Sequence, residues 1–108
     1  MEGYMVDNKL EPDDCVKLVQ LYFERTFSDF SLLKKGAYTG FWWLEYKFER
    51  QNIVVYFDGD IGGHFSIKIY LNNEEYFLWQ FDKSVNNKTL SNKENILYQL
   101  EVLKKFLM

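Results

Sequence analysis

Apolar positions along this 108-residue chain follow one period, switch to another, and then switch back. Cys15, Val16, Leu18, Val19, Tyr22, Phe23 and Phe27 recur at spacings of three and four, which places a broad apolar stripe on one face of a helix. Glu11-Pro12-Asp13-Asp14 starts it: proline's fixed φ suits the first helical position, and the aspartates complement the positive end of the helix dipole. Ser28-Asp29 interrupts the stripe, and Phe30 to Lys35 reads as a short second helical turn ending at Gly36. From Phe41 the period becomes two, over residues 41–50, 53–58, 64–71 and 76–82. Gln51-Asn52, Asp58 to Gly63 and Asn72-Asn73 separate these runs with turn-type residues, and connections this short join antiparallel neighbours. After a polar loop from Lys83 to Leu90, Ser91 and Glu94 have capping-box spacing. Ile96, Leu97, Leu100, Leu103 and Leu107 then share one face of a helix over 92–107. The pattern predicts a single α+β domain of order α-β-β-β-β-α, a four-stranded antiparallel meander with both helices on one face.

Alternation divides the strands into two sets. Trp42, Leu44, Tyr46, Phe48, Ile53, Val55, Phe57, Phe65, Ile67, Ile69, Leu71, Phe77, Trp79 and Phe81 carry no charge and are expected under the helices. The opposite set holds Phe41, Trp43, Glu45, Lys47, Glu49, Val54, Tyr56, Asp58, His64, Ser66, Lys68, Tyr70, Tyr76, Leu78, Gln80 and Asp82. It mixes acids, two lysines and large rings. Those rings either pair across strands to stiffen the sheet, or anchor a partner, since Trp and Tyr combine apolar area with a polar handle. A homodimer face is a third reading.

Composition sharpens this choice. Eight Tyr, ten Phe and three Trp make 19% of the chain aromatic, more than one small core obviously requires. A net charge of −3 and a pI near 5.1 disfavour a general nucleic-acid binder. A single cysteine, Cys15, excludes an internal disulfide and suits a reducing compartment. Met1 to Leu10 shows no apolar run, and no segment approaches ~18 consecutive apolar residues. A cytoplasmic location without membrane contact is expected.

Candidate chemistry is sparse. The one histidine, His64, follows Gly62-Gly63 and reads as an exposed ring. Asp58-Gly-Asp60 begins like a calcium loop, but Gly62 occupies its fifth position and Ile69 its twelfth, where a bidentate glutamate belongs. Cys15 lies in an apolar stripe with no adjacent base. Glu45 and Glu49, four apart on a strand, are separated by about 13 Å, too far for a shared acid–base site. There is no phosphate loop, Cys-x-x-Cys or RNP1-like run. No enzyme, cofactor or metal is expected.

One segment resembles a known family. Tyr76-Phe-Leu-Trp79-Gln-Phe-Asp82-Lys-Ser-Val-Asn86-Asn87, then Ser91 to Glu94, Ile96 to Leu100 and Leu103 to Leu107, looks like the tail of small bacterial immunity proteins. These belong to contact-dependent growth inhibition and related polymorphic toxin systems. The helix–sheet–helix layout is similar too. The resemblance implies a cytoplasmic protein that binds and blocks the toxin domain of its own strain, in many cases a basic nuclease. On that function the outer face of the sheet supplies the expected partner-binding residues: Trp43, Glu45, Tyr56, Asp58, Ser66, Tyr70, Tyr76 and Asp82, with Asp60 and Glu74 at the rim. The alternatives are a small-ligand or RNA-binding module, or a homodimeric structural domain, using the same outer face.

Overall fold

The structure, a computed structural model, describes residues 10–38, 41–60 and 63–107. The absence of a leader was read from residues that lie largely outside this range. Helix α1 spans Pro12–Thr26, strands β1 to β5 span Phe30–Tyr38, Phe41–Phe48, Ile53–Gly59, Phe65–Leu71 and Glu74–Phe77, and helix α2 spans Lys93–Leu107. Two short 3-10 turns, Leu78–Gln80 and Lys83–Asn87, join β5 to α2. The strands form one antiparallel sheet in sequence order, β1-β2-β3-β4-β5. The α+β class is as predicted, but the sheet has five strands.

The fifth is β1, where a helical turn was expected over Phe30 to Lys35. Phe30 stands opposite Phe48 and Tyr38 opposite Phe41, with the register shifting between Leu32 and Lys34. The extra residue at Leu33 is a bulge, and it destroys the alternation by which a strand is recognised. β1 is also an edge strand, and its Leu32 and Leu33 remain exposed.

The last predicted strand, 76–82, is displaced and cut short. β5 runs from Glu74 to Phe77, and the chain then tightens into the first 3-10 turn. Tyr76 pairs with Ile69 and Phe77 with Lys68, which reverses the predicted faces. Leu78 is buried, whereas Phe77, Trp79 and Phe81 are exposed. Asn72 and Asn73, both at positive φ, form the two-residue β4–β5 turn, for which the left-handed tolerance of asparagine is suited. The start of α2 shifts by one residue. Asn92 Oδ1 accepts from the Asn95 N–H at 2.7 Å, so Asn92 is the cap. The Ser91 hydroxyl is instead buried, with no hydrogen-bond partner among the described residues.

Both helices pack on one face of the sheet. Cys15, Val19 and Phe23 of α1 and Ile96, Leu100 and Leu103 of α2 join Leu44, Tyr46, Val55, Phe57, Ile67 and Ile69 in one core. Phe23 is the centre of it. Its ring lies 4.4 Å from Tyr46, 4.7 Å from Phe27, 5.2 Å from Phe57 and 5.5 Å from Phe30. Such tilted and edge contacts add to the area term. Only part of β4's outer edge is covered by β5. Its start is held by the segment before α2, where the Phe65 N–H donates to Thr89 O at 2.7 Å and the Ser91 N–H to Gly63 O at 2.6 Å.

Two outcomes follow for stability. Phe23→Ala removes a fully buried ring touching four others and should lower unfolding free energy by about 3–5 kcal/mol, measured by urea titration; a loss below ~1 kcal/mol would remove Phe23 from its central position. The second concerns alkaline pH. Burial, aided by Asp14 and Glu11, pushes the Cys15 thiol from its ordinary 9.0 up to about 11. Burial, with Glu24 contributing, likewise pushes the Tyr46 phenol from 10.0 up to about 12. Both groups hold their protons more tightly when folded, so the stability they contribute is complete below pH 9.0 and is lost as pH rises towards about 12. The urea midpoint should fall through that window, first from Cys15, and Cys15→Ala should delay the fall. An unchanged midpoint in wild type would contradict this assignment.

Candidate functional site

With both helices on one face, the other face of the sheet has no described element across it. In an antiparallel pair, residues in register point to the same side, so the outer face can be read as rows. One row is Gly36, Trp43, Asp58 and Ser66; the next is Lys34, Glu45, Tyr56, Lys68 and Phe77; a third holds Lys47, Val54, Tyr70 and Glu75. Six of the ten expected residues therefore share this face: Trp43, Glu45, Tyr56, Asp58, Ser66 and Tyr70. Asp60 lies just beyond β3 at the same end as Asp58.

The other three do not join them. Tyr76 points to the helix side, where its ring is 5.9 Å from Phe81 and its hydroxyl donates to Glu74 at 2.9 Å. That hydrogen bond, and the charge of Glu74 with it, raises the Tyr76 phenol above its ordinary value. Glu74 pairs with the inward position Leu71 at the sheet margin. Asp82 caps the second 3-10 turn, accepting from the Ser84 hydroxyl at 2.6 Å and the Ser84 N–H at 3.0 Å, and these bonds hold its carboxyl below its ordinary range. Tyr76 was placed outward because the alternation was phased one residue off, Asp82 because it was carried past the end of β5, and Glu74, expected in a turn at the rim, instead opens β5.

Trp42 and Trp43 sit on opposite faces of β2, and each lies across a glycine of a neighbouring strand. A Cβ on Gly36 would fall 2.1 Å from Cζ2 of Trp43, and one on Gly59 would fall 2.1 Å from Nε1 of Trp42. The glycines are required here by close approach, not by backbone angle. Trp42 is buried against Phe65, ring centres 5.8 Å apart, while Trp43 is half-buried on the outer face.

Beside Trp43 the outer face is concave. Phe41, Trp43, Tyr56, Asp58, Asp60 and His64 are among the residues lining a depression of about 430 Å3, a volume within the usual range for binding sites. Ser66 Oγ donates to Asp58 Oδ1 at 2.5 Å and fixes that carboxylate. Asp60 Oδ1 accepts from the His64 N–H at 3.0 Å and lies 3.5 Å from His64 Nδ1. Burial, and next the charge of Asp58, raise the Tyr56 phenol above its ordinary value, so ring and carboxylate are electrostatically coupled.

Charge is unevenly distributed over this face. Lys34 stands opposite Glu45, and Lys68 Nζ is 3.4 Å from Glu75. Lys68 also lies 5.4 Å from the Tyr56 ring centre and 5.8 Å from that of Phe77. Burial works against its charge, but Tyr70, Glu75 and Asp58 outweigh it and raise its pKa. The lower rows thus carry Lys34, Lys47 and Lys68 against Glu45 and Glu75, and the acidity collects at Asp58 and Asp60. Phe77 was expected on the inner face, Gly36 was expected to end a helical turn and instead lies within β1, and Gly59 was expected only in a turn; a glycine opposite a tryptophan is the signal, and it needs the register to be read.

Among the described residues, no group of three His, Cys, Asp or Glu side chains converges as a metal site would require, and no helix is long and apolar enough to cross a membrane. No family model matches the chain, and neither a curated protein nor a solved structure matches it.

Gly36→Val tests the geometry. The new side chain must displace the Trp43 indole, while Trp42 and the core stay in place. The expected result is a changed indole signal from one tryptophan in the NMR spectrum, with the inner-face methyl signals unmoved. Perturbation of the Trp42 indole instead would contradict the assignment of the two faces.

Proposed function

We propose that this chain is a non-catalytic binding protein that neutralises a cognate toxin domain in the cytoplasm by one-to-one association, with the uncovered sheet face as its contact surface. The observation that carries the reading is the cluster of Trp43, Tyr56 and Phe41 around Asp58 and Asp60 on the face opposite both helices. Half-buried Trp43 and Tyr56 and the exposed Phe41, carried on paired strands, supply area at little entropic expense, and the local acidity favours and speeds capture of a basic surface. A nuclease domain, whose substrate-binding surface is basic, is a partner of that kind. The immunity-protein resemblance of the C-terminal segment agrees with this reading.

Stacking of single-stranded nucleic acid on the same rings is less well supported. Asp58 and Asp60 border those rings and would repel the phosphates.

The test is to pair the protein with the toxin domain encoded by the reading frame directly upstream of its gene. Co-expression should restore growth of toxin-expressing cells, and calorimetry should give a one-to-one complex. Trp43→Ala should weaken that complex by about 2 kcal/mol or more. An upstream region with no secreted toxin, or a toxin that binds and is not blocked, overturns the function. An unchanged Kd for Trp43→Ala removes this residue from the interface.

A further inference from the structure

The depression at the Asp58 end of the sheet has a chemistry narrower than a general contact surface. Its lining includes the rings of Phe41, Trp43 and Tyr56 and the carboxylates of Asp58 and Asp60; His64, its one basic lining residue, lies 3.5 Å from Asp60. Aromatic faces attract cations through their quadrupole, and most strongly where water is partly excluded. Carboxylates beside such rings add direct charge pairing.

The same sheet already holds one cation in this way. Lys68 lies over Tyr56 and Phe77 and is paired with Glu75, two rings and one acid around a single ammonium. The row above repeats the ingredients without the lysine. Across from Trp43 stands Asp58, and across from Asp58 stands Ser66, where the Lys68 row has its cation. The molecule's own lysine sits in the lower cage and reaches Tyr56 at the edge of the upper one, whose own row has Ser66 in the lysine's place beside rings and acids.

We propose that this upper depression receives an arginine side chain presented by the protein partner; the partner's existence rests on the binding function proposed above. A guanidinium fits better than an ammonium for two reasons. It is planar and stacks on indole and phenol faces, and it can approach a carboxylate with two parallel N–H bonds. Asp58 is prepared for it, because the Ser66 hydroxyl bond to Oδ1 fixes the carboxylate's orientation. A flat aromatic wall and an oriented carboxylate select the fork-shaped cation.

The experiment uses the full chain labelled with nitrogen-15 and three small probes: N-acetyl-arginine amide, its lysine counterpart, and its citrulline counterpart, which keeps the shape of arginine and loses the charge. The arginine probe should produce saturable shifts confined to the Trp43 indole and to backbone amides near 43, 58 and 66. Lysine should bind at least about threefold more weakly, and citrulline should give no saturable shift. Asp58→Asn and Trp43→Ala should each weaken the arginine probe about tenfold, which corresponds to about 1.4 kcal/mol, while Trp79→Ala, outside the depression, should change nothing. Equal shifts from citrulline, shifts elsewhere on the molecule, or none up to the solubility of the arginine probe would overturn the assignment. The two proposals fail separately. Arginine binding in this depression with no toxin partner leaves the cation site standing and removes the immunity function. A toxin complex whose Kd is unaffected by Asp58→Asn leaves the immunity function standing and removes the arginine site.

Discussion

Two successive tryptophans point through opposite faces of the sheet, and each lies flat across a glycine on a different neighbouring strand. Trp42 over Gly59 ties β2 to β3 from the core side, and Trp43 over Gly36 ties β2 to β1 from the outside. A slip of one residue in either pairing would put an indole against a side chain it cannot overlap and move every β2 side chain to the wrong face. The register of β2 therefore decides which rings reach Phe23 and the helices and which border Asp58. Core and candidate site are two consequences of one pleat.

Once that pleat is set, the aromatic excess divides by task. Tyr46 and Phe57 pack against Phe23 and against each other, Phe65 stacks on Phe57, and together they fill the space under the two helices. Phe81 stacks on Phe106 with ring centres 3.7 Å apart and closes the end of α2 against the 3-10 turns. The rings left on the outer face are interleaved with charge. There Lys34, Lys47 and Lys68 face Glu45 and Glu75, so the acids in excess are Asp58 and Asp60 at one end. A net charge of −3 thus understates how acidic one end of the sheet is.

The parts legible in the sequence were those in which one rule acted alone. β2, β3 and β4 alternate cleanly because one face is buried and the other is wet, and six of the ten expected site residues were found from that alternation. β1 was hidden because the bulge at Leu33 breaks the period, and because an edge strand with exposed Leu32 and Leu33 buries too little to leave an alternating signature. β5 was misphased for another reason. In Tyr76-Phe-Leu-Trp-Gln-Phe both phases are largely apolar, so the pattern does not choose between them, and the 3-10 turn at Leu78 ends the alternation in any case. The capping box at Ser91 lost to Asn92 because the backbone of Ser91 is already engaged: its N–H donates to Gly63 O and its carbonyl accepts from the Leu10 N–H.

That engagement links the helical layer to the open face. The segment around Thr89 and Ser91 leads into α2, and it also pairs with the first residues of β4. Gln99 of α2, fully buried, donates its side-chain amide to Phe65 O at 3.3 Å and Lys88 O at 2.8 Å. Phe65 is therefore held on its carbonyl by α2, on its N–H by Thr89 and on its ring by Trp42 and Phe57. The next residue is Ser66, whose hydroxyl orients Asp58. If the proposed partner binds there, a carboxylate already oriented on a strand held from behind loses less freedom, and less ordering on binding leaves more of the contact energy as affinity. The helices lie on the opposite face, yet through Gln99 and the segment before α2 they hold the strand that carries Ser66 beside Asp58.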